Sequence, residues 1–439
     1  MIRDMVRQAN IMANGRQPAV SGRKAECDLR VPVQVGMAFL VASALAGLLL
    51  GQEVSDTQAE DELVSSQLAA SEPLPRVTRE VLDESLALGR RFLLASQLPS
   101  GLFRYRVDCL TGETLPEQSA VRQAGALWGM ALLHQDQPTD ETRAAVLRGL
   151  DYFIAHSHCS DAGARWLQFP GQDEGETGAI ALVALTLIDF LRVEPADAHA
   201  VHRQHLAEFL QFLLTLKRSD GQFYRRYLIR SGEGWGRPSP YYDGEVLLTL
   251  VKAARYLAHD ELRPVALRAG DVMFEAWARK ALQAGSDDPL TKGFFQWGCM
   301  AYAEMQEATW PGSESAAGHA VALAHWMLDV HRPLERRGNT GYALEGVISA
   351  YAVAAAIGDQ AAQAKFRDVA ERVLARLVTW QVGHAQANAF LQSHAPIDSQ
   401  FIGGVLPAAD DPRLRIDTTQ HQMHAVILAR RNLFPPTGK

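Results

Sequence analysis

The chain has 439 residues, 47% of them hydrophobic, enough to bury a large core. Its 43 basic side chains against 50 acidic ones leave a net charge of -7, which excludes the basic surface a nucleic-acid partner requires. Four cysteines, none in a Cys-x-x-Cys or zinc-finger spacing, exclude a disulfide-dense or zinc-finger scaffold.

The amino-terminal residues 1–30 carry Arg3, Arg7, Arg16, Arg23, Lys24 and Arg30. Residues 31–51 are apolar apart from Gln34, long enough to cross a bilayer as a helix, and acidic residues such as Glu53, Asp56 and Glu60 follow. The positive-inside rule leaves residues 1–30 in the cytoplasm. The expectation is a single-pass inner-membrane anchor with the bulk of the chain in the periplasm. The alternative is a cleaved signal peptide, because Ala44-Leu45-Ala46 has the small-residue spacing of a cleavage site. Residues 52–75, rich in Ser, Gln, Glu, Asp and Ala, suit a solvated linker, so the folded domain is expected over 76–439.

From there, amphipathic helices alternate with helices apolar nearly all round. Apolar residues at three-and-four spacing predict outer helices over 78–97, 141–157, 197–216, 261–282, 315–330 and 360–381. Stretches without a polar face, such as 179–191, 246–257 and 346–356, predict inner helices. Each inner stretch opens with polar residues: Arg122 and Gln123, Glu174 to Glu176, Tyr241 to Glu245, Gln296 and Trp297, Tyr342 to Glu345, and Asp417 to His424. Units recurring at about 50 to 70 residues point to a closed or stacked helical array whose polar openings converge on one mouth.

Loops after the outer helices also repeat. Ser100-Gly101-Leu102-Phe103-Arg104-Tyr105-Arg106 is echoed by Asp220-Gly221-Gln222-Phe223-Tyr224-Arg225-Arg226, and more faintly by Lys292-Gly293-Phe294-Phe295. Glycine followed by aromatic-basic alternation suits a short β-hairpin. Tyr105, Arg106, Tyr224 and Arg226 are candidates to bind a sugar, whose C–H face stacks on aromatic rings and whose hydroxyls or carboxylates take guanidinium donors. Phe103 and Phe223 are expected to plug the ring. Cys109 and Cys159 also lie in loops after outer helices and can pair if the domain faces an oxidising compartment.

The layout of six outer and six inner helices, the Gly-x-Phe loops and the Tyr241-Tyr242-Asp243-Gly244-Glu245 opening resemble the (α/α)6 toroid of six-hairpin glycosidases, polysaccharide lyases and some sugar epimerases. The resemblance covers about residues 76 to 436 and is one of architecture. Glucuronyl C5-epimerases, with a catalytic helical ring that uses tyrosines, are more distant lookalikes. It implies an all-α toroid with short β-hairpin loops and a polysaccharide or oligosaccharide substrate.

Glycoside hydrolysis needs one protonated and one ionised carboxyl group, so Glu176, Asp243, Glu245 and Glu345 are candidate catalytic residues. Helix-start acids are also natural caps, and buried ones need partners, for which Arg122, Arg225 and His421 are available. His421 and His424 share a helix face; with Asp417 they suit a metal, but a hydrogen-bonded or acid–base His421 fits better, and no metal or cofactor is expected. Arg122, Tyr241, Tyr242, Trp297, Tyr342 and Gln420 complete the expected substrate contacts. Hydrolysis leads; uronate lyase or C5-epimerase chemistry, with Tyr242, His421 and Arg122, is the alternative, as is a non-catalytic glycan-binding part of an envelope polysaccharide machine. An isoprenoid-acting toroid is disfavoured by the lack of an aspartate-rich metal motif.

Overall fold

The computed structural model describes residues 74–115 and 119–436. The basic tail, the apolar segment 31–51 and most of the expected linker lie outside the described residues. No described helix is long and apolar enough to cross a membrane.

The described residues form six helical hairpins, each an outer helix followed by an inner one. The pairs are α1 Arg79–Ser96 with α2 Ala120–Asp136, α3 Asp140–Ala155 with α4 Thr177–Leu191, and α5 Ala200–Thr215 with α6 Pro240–Tyr256. Next come α7 Arg263–Phe274, prolonged through a wide turn Glu275–Arg279 to Lys280–Ala284, with α8 Pro289–Ala308. The last pairs are α9 Ala316–Trp326, prolonged by Met327–His331, with α10 Gly341–Ile357, and α11 Gln360–Val378 with α12 Ile416–Asn432. All six expected outer helices are present, with ends that differ by less than about a turn.

Composition decides which helix lies inside. In α11 the buried residues Ala362, Phe366, Ala370, Val373, Leu374 and Leu377 make one stripe, and Asp359 caps the start by accepting from the Ala362 amide. In α4 every residue from Thr177 to Leu191 is buried. Such a helix must be covered on all flanks. The inner helices accordingly pack in the order α2, α4, α6, α8, α10, α12 and back to α2, with each outer helix lying mainly against the inner helix that precedes it in the chain and α1 against α12. Because every hairpin runs outer to inner, the inner helices share one direction and their starts gather at one end.

Short strands border that end. β1 Arg106–Asp108 and β2 Thr114–Leu115 form a hairpin after α1, and β3 Ser157–Cys159 pairs with β4 Arg165–Leu167 after α3. β5 Glu174–Glu176, β6 Arg226–Leu228 and β7 Gly234–Trp235 make a second three-stranded sheet. β8 Arg413–Arg415 adds to β1 antiparallel, with Val107 opposite Leu414, so the last hairpin is tied to the first. Arg430 of α12 reinforces the closure by donating to Asp136 of α2 at 2.8 Å.

The repeated loops share one device. Gly101 (φ +96°) and Gly221 (φ +95°) turn the chain so that Phe103 and Phe223 bridge back to Gln97 and Lys217. In each copy a side chain at the fourth position of the following inner helix takes the aromatic residue's amide: Gln123 Oε1 at 2.7 Å and Asp243 Oδ1 at 2.9 Å. A third copy occurs where no aromatic announces it. Gly403 (φ +97°) leads to Val405, which bridges to Gln381 and donates to Thr419 Oγ1 at 3.0 Å, again at the fourth position of its helix. The expected third echo, Lys292-Gly293-Phe294-Phe295, is instead helical and buried within α8. Pro289 at the first turn and the Asp288 cap on the Leu290 amide start that helix before the sequence echo.

Phe103 and Phe223 are buried as expected plugs. Cys109 and Cys159 do not pair: both are free, on strands of separate sheets or just after them.

Alanine at the three turn glycines tests the device. Gly221→Ala is expected to cost about 1–2 kcal/mol from its positive φ, since its Cβ would meet only the Val272 side chain, at 3.2 Å. Gly101→Ala and Gly403→Ala should cost more, because their Cβ atoms would fall 2.3 Å from the Arg148 carbonyl oxygen and 1.8 Å from that of Leu88. Chemical denaturation of the three variants measures the order.

Candidate active site

The helix starts gather polar side chains from all six hairpins. At the start of α12, Asp417 accepts two bonds from Arg415, at 3.1 and 2.7 Å, and lies 3.8 Å from Arg122 of α2. Burial works against its charge, but the two guanidinium groups outweigh it and hold the carboxyl far below the ordinary range. Asp417 is therefore a fixed anion. The Arg122 guanidinium also lies 5.1 Å from the centre of the buried Tyr105 ring, which sets it at the rim.

One turn deeper lies a buried polar cluster. Glu345 of α10 is fully buried, and its oxygens face His421 Nδ1 at 2.9 Å and His424 Nδ1 at 2.7 Å. Gln296 of α8 donates to the same carboxylate at 3.1 Å. A carboxylate accepts only, so both rings present Nδ1–H and keep Nε2 for other partners. Desolvation opposes a charge here. The histidines overcome it and lower the Glu345 pKa, and Glu345 in turn outweighs burial to raise that of His421 above the ordinary histidine value. The His421 side chain is 25% exposed, so solvent reaches it while its carboxylate partner is sealed.

Across the bore, Glu176 ends β5 and accepts the Tyr242 hydroxyl at 2.8 Å. Glu245, one turn beyond Tyr242, is buried with Oε2 unpaired, close to Gly178, where a Cβ would fall 2.3 Å from that oxygen. Burial, and then the neighbouring Glu176 charge, push its pKa well above the usual range. Tyr342 places its hydroxyl 3.0 Å from His331 Nε2, with the Lys292 ammonium 5.1 Å over its ring. Tyr241 is exposed and packs over Gly293. Trp297, Trp128 and His424 pack together beside His421: Trp128 lies 5.4 Å from Trp297 and 5.1 Å from His424, and Trp297 6.5 Å from His421.

Five expected site residues are directed elsewhere. Asp243 is turned into the loop device, where Trp277 Nε1 at 2.8 Å, Gln222 Nε2 at 2.9 Å and the Phe223 amide occupy its oxygens. Burial pushes its carboxyl up to about 7 against those three donors. Gln420 is buried between α12 and α2, packed on Gly129, where a Cβ would fall 2.3 Å from its Cγ. Arg106 lies in the β1–β8 sheet, Arg226 pairs with Glu174 at 3.3 Å in the β5–β6–β7 sheet, and the Tyr224 ring lies 5.1 Å from the Arg218 guanidinium. His424, marked by the His421-x-x-His424 spacing as a possible metal ligand, and Gln296, one of the polar helix openings, are instead hydrogen-bond partners of Glu345. Among the described residues no group of three or more His, Cys, Asp or Glu is arranged to hold a metal ion.

No family model and no curated protein matches the chain. Solved structures do. D-mannose isomerase superposes with a TM-score of 0.56 at 11% identity, over 80% of this chain and 97% of that one. The chain has the (α/α)6 toroid fold. Cellobiose 2-epimerase from Bacillus thermoamylovorans superposes on the toroid at 0.54 with 11% identity, over 79% and 99% of the two chains. An α-1,6-mannanase from Salegentibacter, an inactive variant in complex with α-1,6-mannotetrose, matches at 0.55 with 9% identity, over 80% and 98%. At these identities the likeness is one of fold.

The Glu345–His421 pair has a pH signature in stability. A lowered carboxyl pKa contributes stability above the unfolded value of 4.5, lost as pH falls; a raised histidine pKa contributes stability below 6.5, lost as pH rises through the folded value. Wild type minus Glu345→Gln should therefore be largest between those two pH values and shrink on both sides. Denaturation of the two proteins across pH measures it.

Proposed function

We propose that the toroid mouth binds a saccharide and that His421 moves a proton on it. The carrying observation is that His421 combines partial exposure with a sealed carboxylate partner. Nδ1–H held by Glu345 leaves Nε2 as the base, and the buried charge stabilises the imidazolium formed when it takes a proton. An open-chain sugar gives up the proton on the carbon next to its carbonyl, and return of that proton to the other face or to the neighbouring carbon inverts or isomerises the sugar. Arg122 and Tyr242, both at inner-helix starts, orient hydroxyls or a carboxylate. The isomerase and epimerase among the similar folds support this chemistry, and the mannotetrose complex supports an oligosaccharide in such a mouth.

Hydrolysis by a carboxylate pair is the second reading, supported by Glu245, whose raised pKa beside Glu176 suits a general acid. Its burial weighs against it, as does the engagement of Asp243, Glu345 and Asp417 with internal donors. We further propose, from residues 31–51 alone, an inner-membrane anchor that presents the toroid in the periplasm, where an envelope polysaccharide is the natural substrate. Protease accessibility in spheroplasts against intact cells tests that placement.

The chemistry is tested by incubating the full-length protein in deuterated water with mannose, cellobiose, glucuronate and acidic and neutral polysaccharides. Deuterium at a carbon next to a carbonyl or carboxylate, lost at least about 100-fold in His421→Gln, is expected. Glu345→Gln should lower the apparent pKa of the rate profile, because it removes the anion that favours the imidazolium. New reducing ends without deuterium, abolished in Glu245→Gln, would establish hydrolysis instead. Saccharide binding without any turnover would leave a glycan-binding module.

A further inference from the structure

The opposite end of the bore, where the inner helices finish, holds a cavity of about 450 Å3. The aromatic floor formed by Trp128, Trp297 and His424 stands between it and the mouth, and His424 and Trp128 line the cavity itself. Its volume falls in the range of small-molecule sites, roughly 300–1,000 Å3.

Four cations line it: Arg192, Lys252, Arg255 and Arg431, against the carboxylates of Glu304 and Glu307. Cations at helix ends complement the carbonyl dipoles, and that accounts for part of this charge. Arg192 is also spent on Asp189 at 3.1 Å and stacks 3.4 Å from the centre of the Tyr256 ring, while Arg255 pairs with Glu304 and Glu307. Lys252 differs. Its ammonium is 6% exposed and has one acceptor among the described residues, Asp189 Oδ2 at 2.5 Å, although it carries three protons. His424, 8% exposed, uses Nδ1 on Glu345, and its Nε2 has no hydrogen-bond partner among the described residues. Arg431, at the exposed edge, makes no ion pair within 4 Å among the described residues, although its charge acts on Glu307 from a longer distance. Three polar groups from two helices thus face one space with bonding capacity unfilled, beside the hydroxyl and amide side chains of Ser349, Gln306 and Asn432.

We propose that this cavity is a second binding site, for a small anionic saccharide: Lys252 and Arg431 take the acidic group, and Ser349, Gln306 and Asn432 take hydroxyls. A sugar phosphate and a sugar acid share this chemistry. The site is separate from the mouth and does not depend on the reaction assigned there.

The test is calorimetric titration of the full-length protein with glucose 6-phosphate, glucuronate, glucose and inorganic phosphate. Binding of at least one sugar anion with a Kd below about 1 mM, and at least tenfold weaker binding of glucose and of inorganic phosphate, is expected. Arg431→Glu should weaken that binding at least tenfold. Ala352→Trp, which fills the cavity from its half-buried wall, should abolish it, and His421→Gln should leave it unchanged. Arg431 is exposed, so its variant keeps the test open where Lys252→Met, which orphans buried Asp189, fails to fold. Binding lost in His421→Gln but retained in Ala352→Trp would place the ligand in the mouth and overturn the proposal. Equal binding of glucose, equal binding of inorganic phosphate, or no binding at all would also overturn it.

Discussion

An inner helix such as α4, buried along its whole length, cannot stand at an open edge. Leaving even a few of its Leu, Ile or Phe side chains in water costs about 1.5–3 kcal/mol each, comparable in sum to the net stability of a domain. Six mostly buried inner helices in sequence satisfy the constraint by closing on themselves, and the closure sits where chain ends meet: α12 against α1 and α2, β8 on β1, and Arg430 on Asp136. Everything at the mouth follows from that seam. Arg122 faces Asp417, and His421 can share a bore with Trp297, only because the last hairpin returns to the first.

Closure also explains how charge is tolerated inside. Isolated, Glu345 or Asp189 would be prohibitively costly to bury. Each instead gathers donors from neighbouring staves of the ring: His421, His424 and Gln296 for the first, Lys252, Trp128 and Gln135 for the second. Removing one partner of such a set costs more than the bond itself, because it leaves the remainder desolvated and unpaired. These sets fix the rotation of the inner helices relative to one another, which apolar packing alone leaves loosely specified.

The architecture was legible because helical periodicity is local: the outer stripe of α11 and the featureless α4 announce their layers without knowledge of their neighbours. The polar openings marked the mouth for the same reason. What a carboxylate does there was not legible, since it depends on rotation about the helix axis. Asp243 and Glu245 are two apart on α6, and that angular step turns one toward Trp277 and the Gln222 loop and the other toward Glu176. Gln420, next to His421, is carried by the same geometry into the seam with α2. The third copy of the turn device escaped notice because Val405 occupies the place that Phe103 and Phe223 fill in the others, and the echo at Gly293 misled because a proline and a cap upstream had already begun a helix. His424 was visible as a spacing but acquires meaning only through Glu345, far away in the chain.

Glu345 stands at the partition of the bore with one imidazole above the tryptophans and one below. The wall between the two ends of the bore is therefore held by a polar clamp as well as by packed rings, and one carboxylate fixes the position of both imidazoles on the last helix.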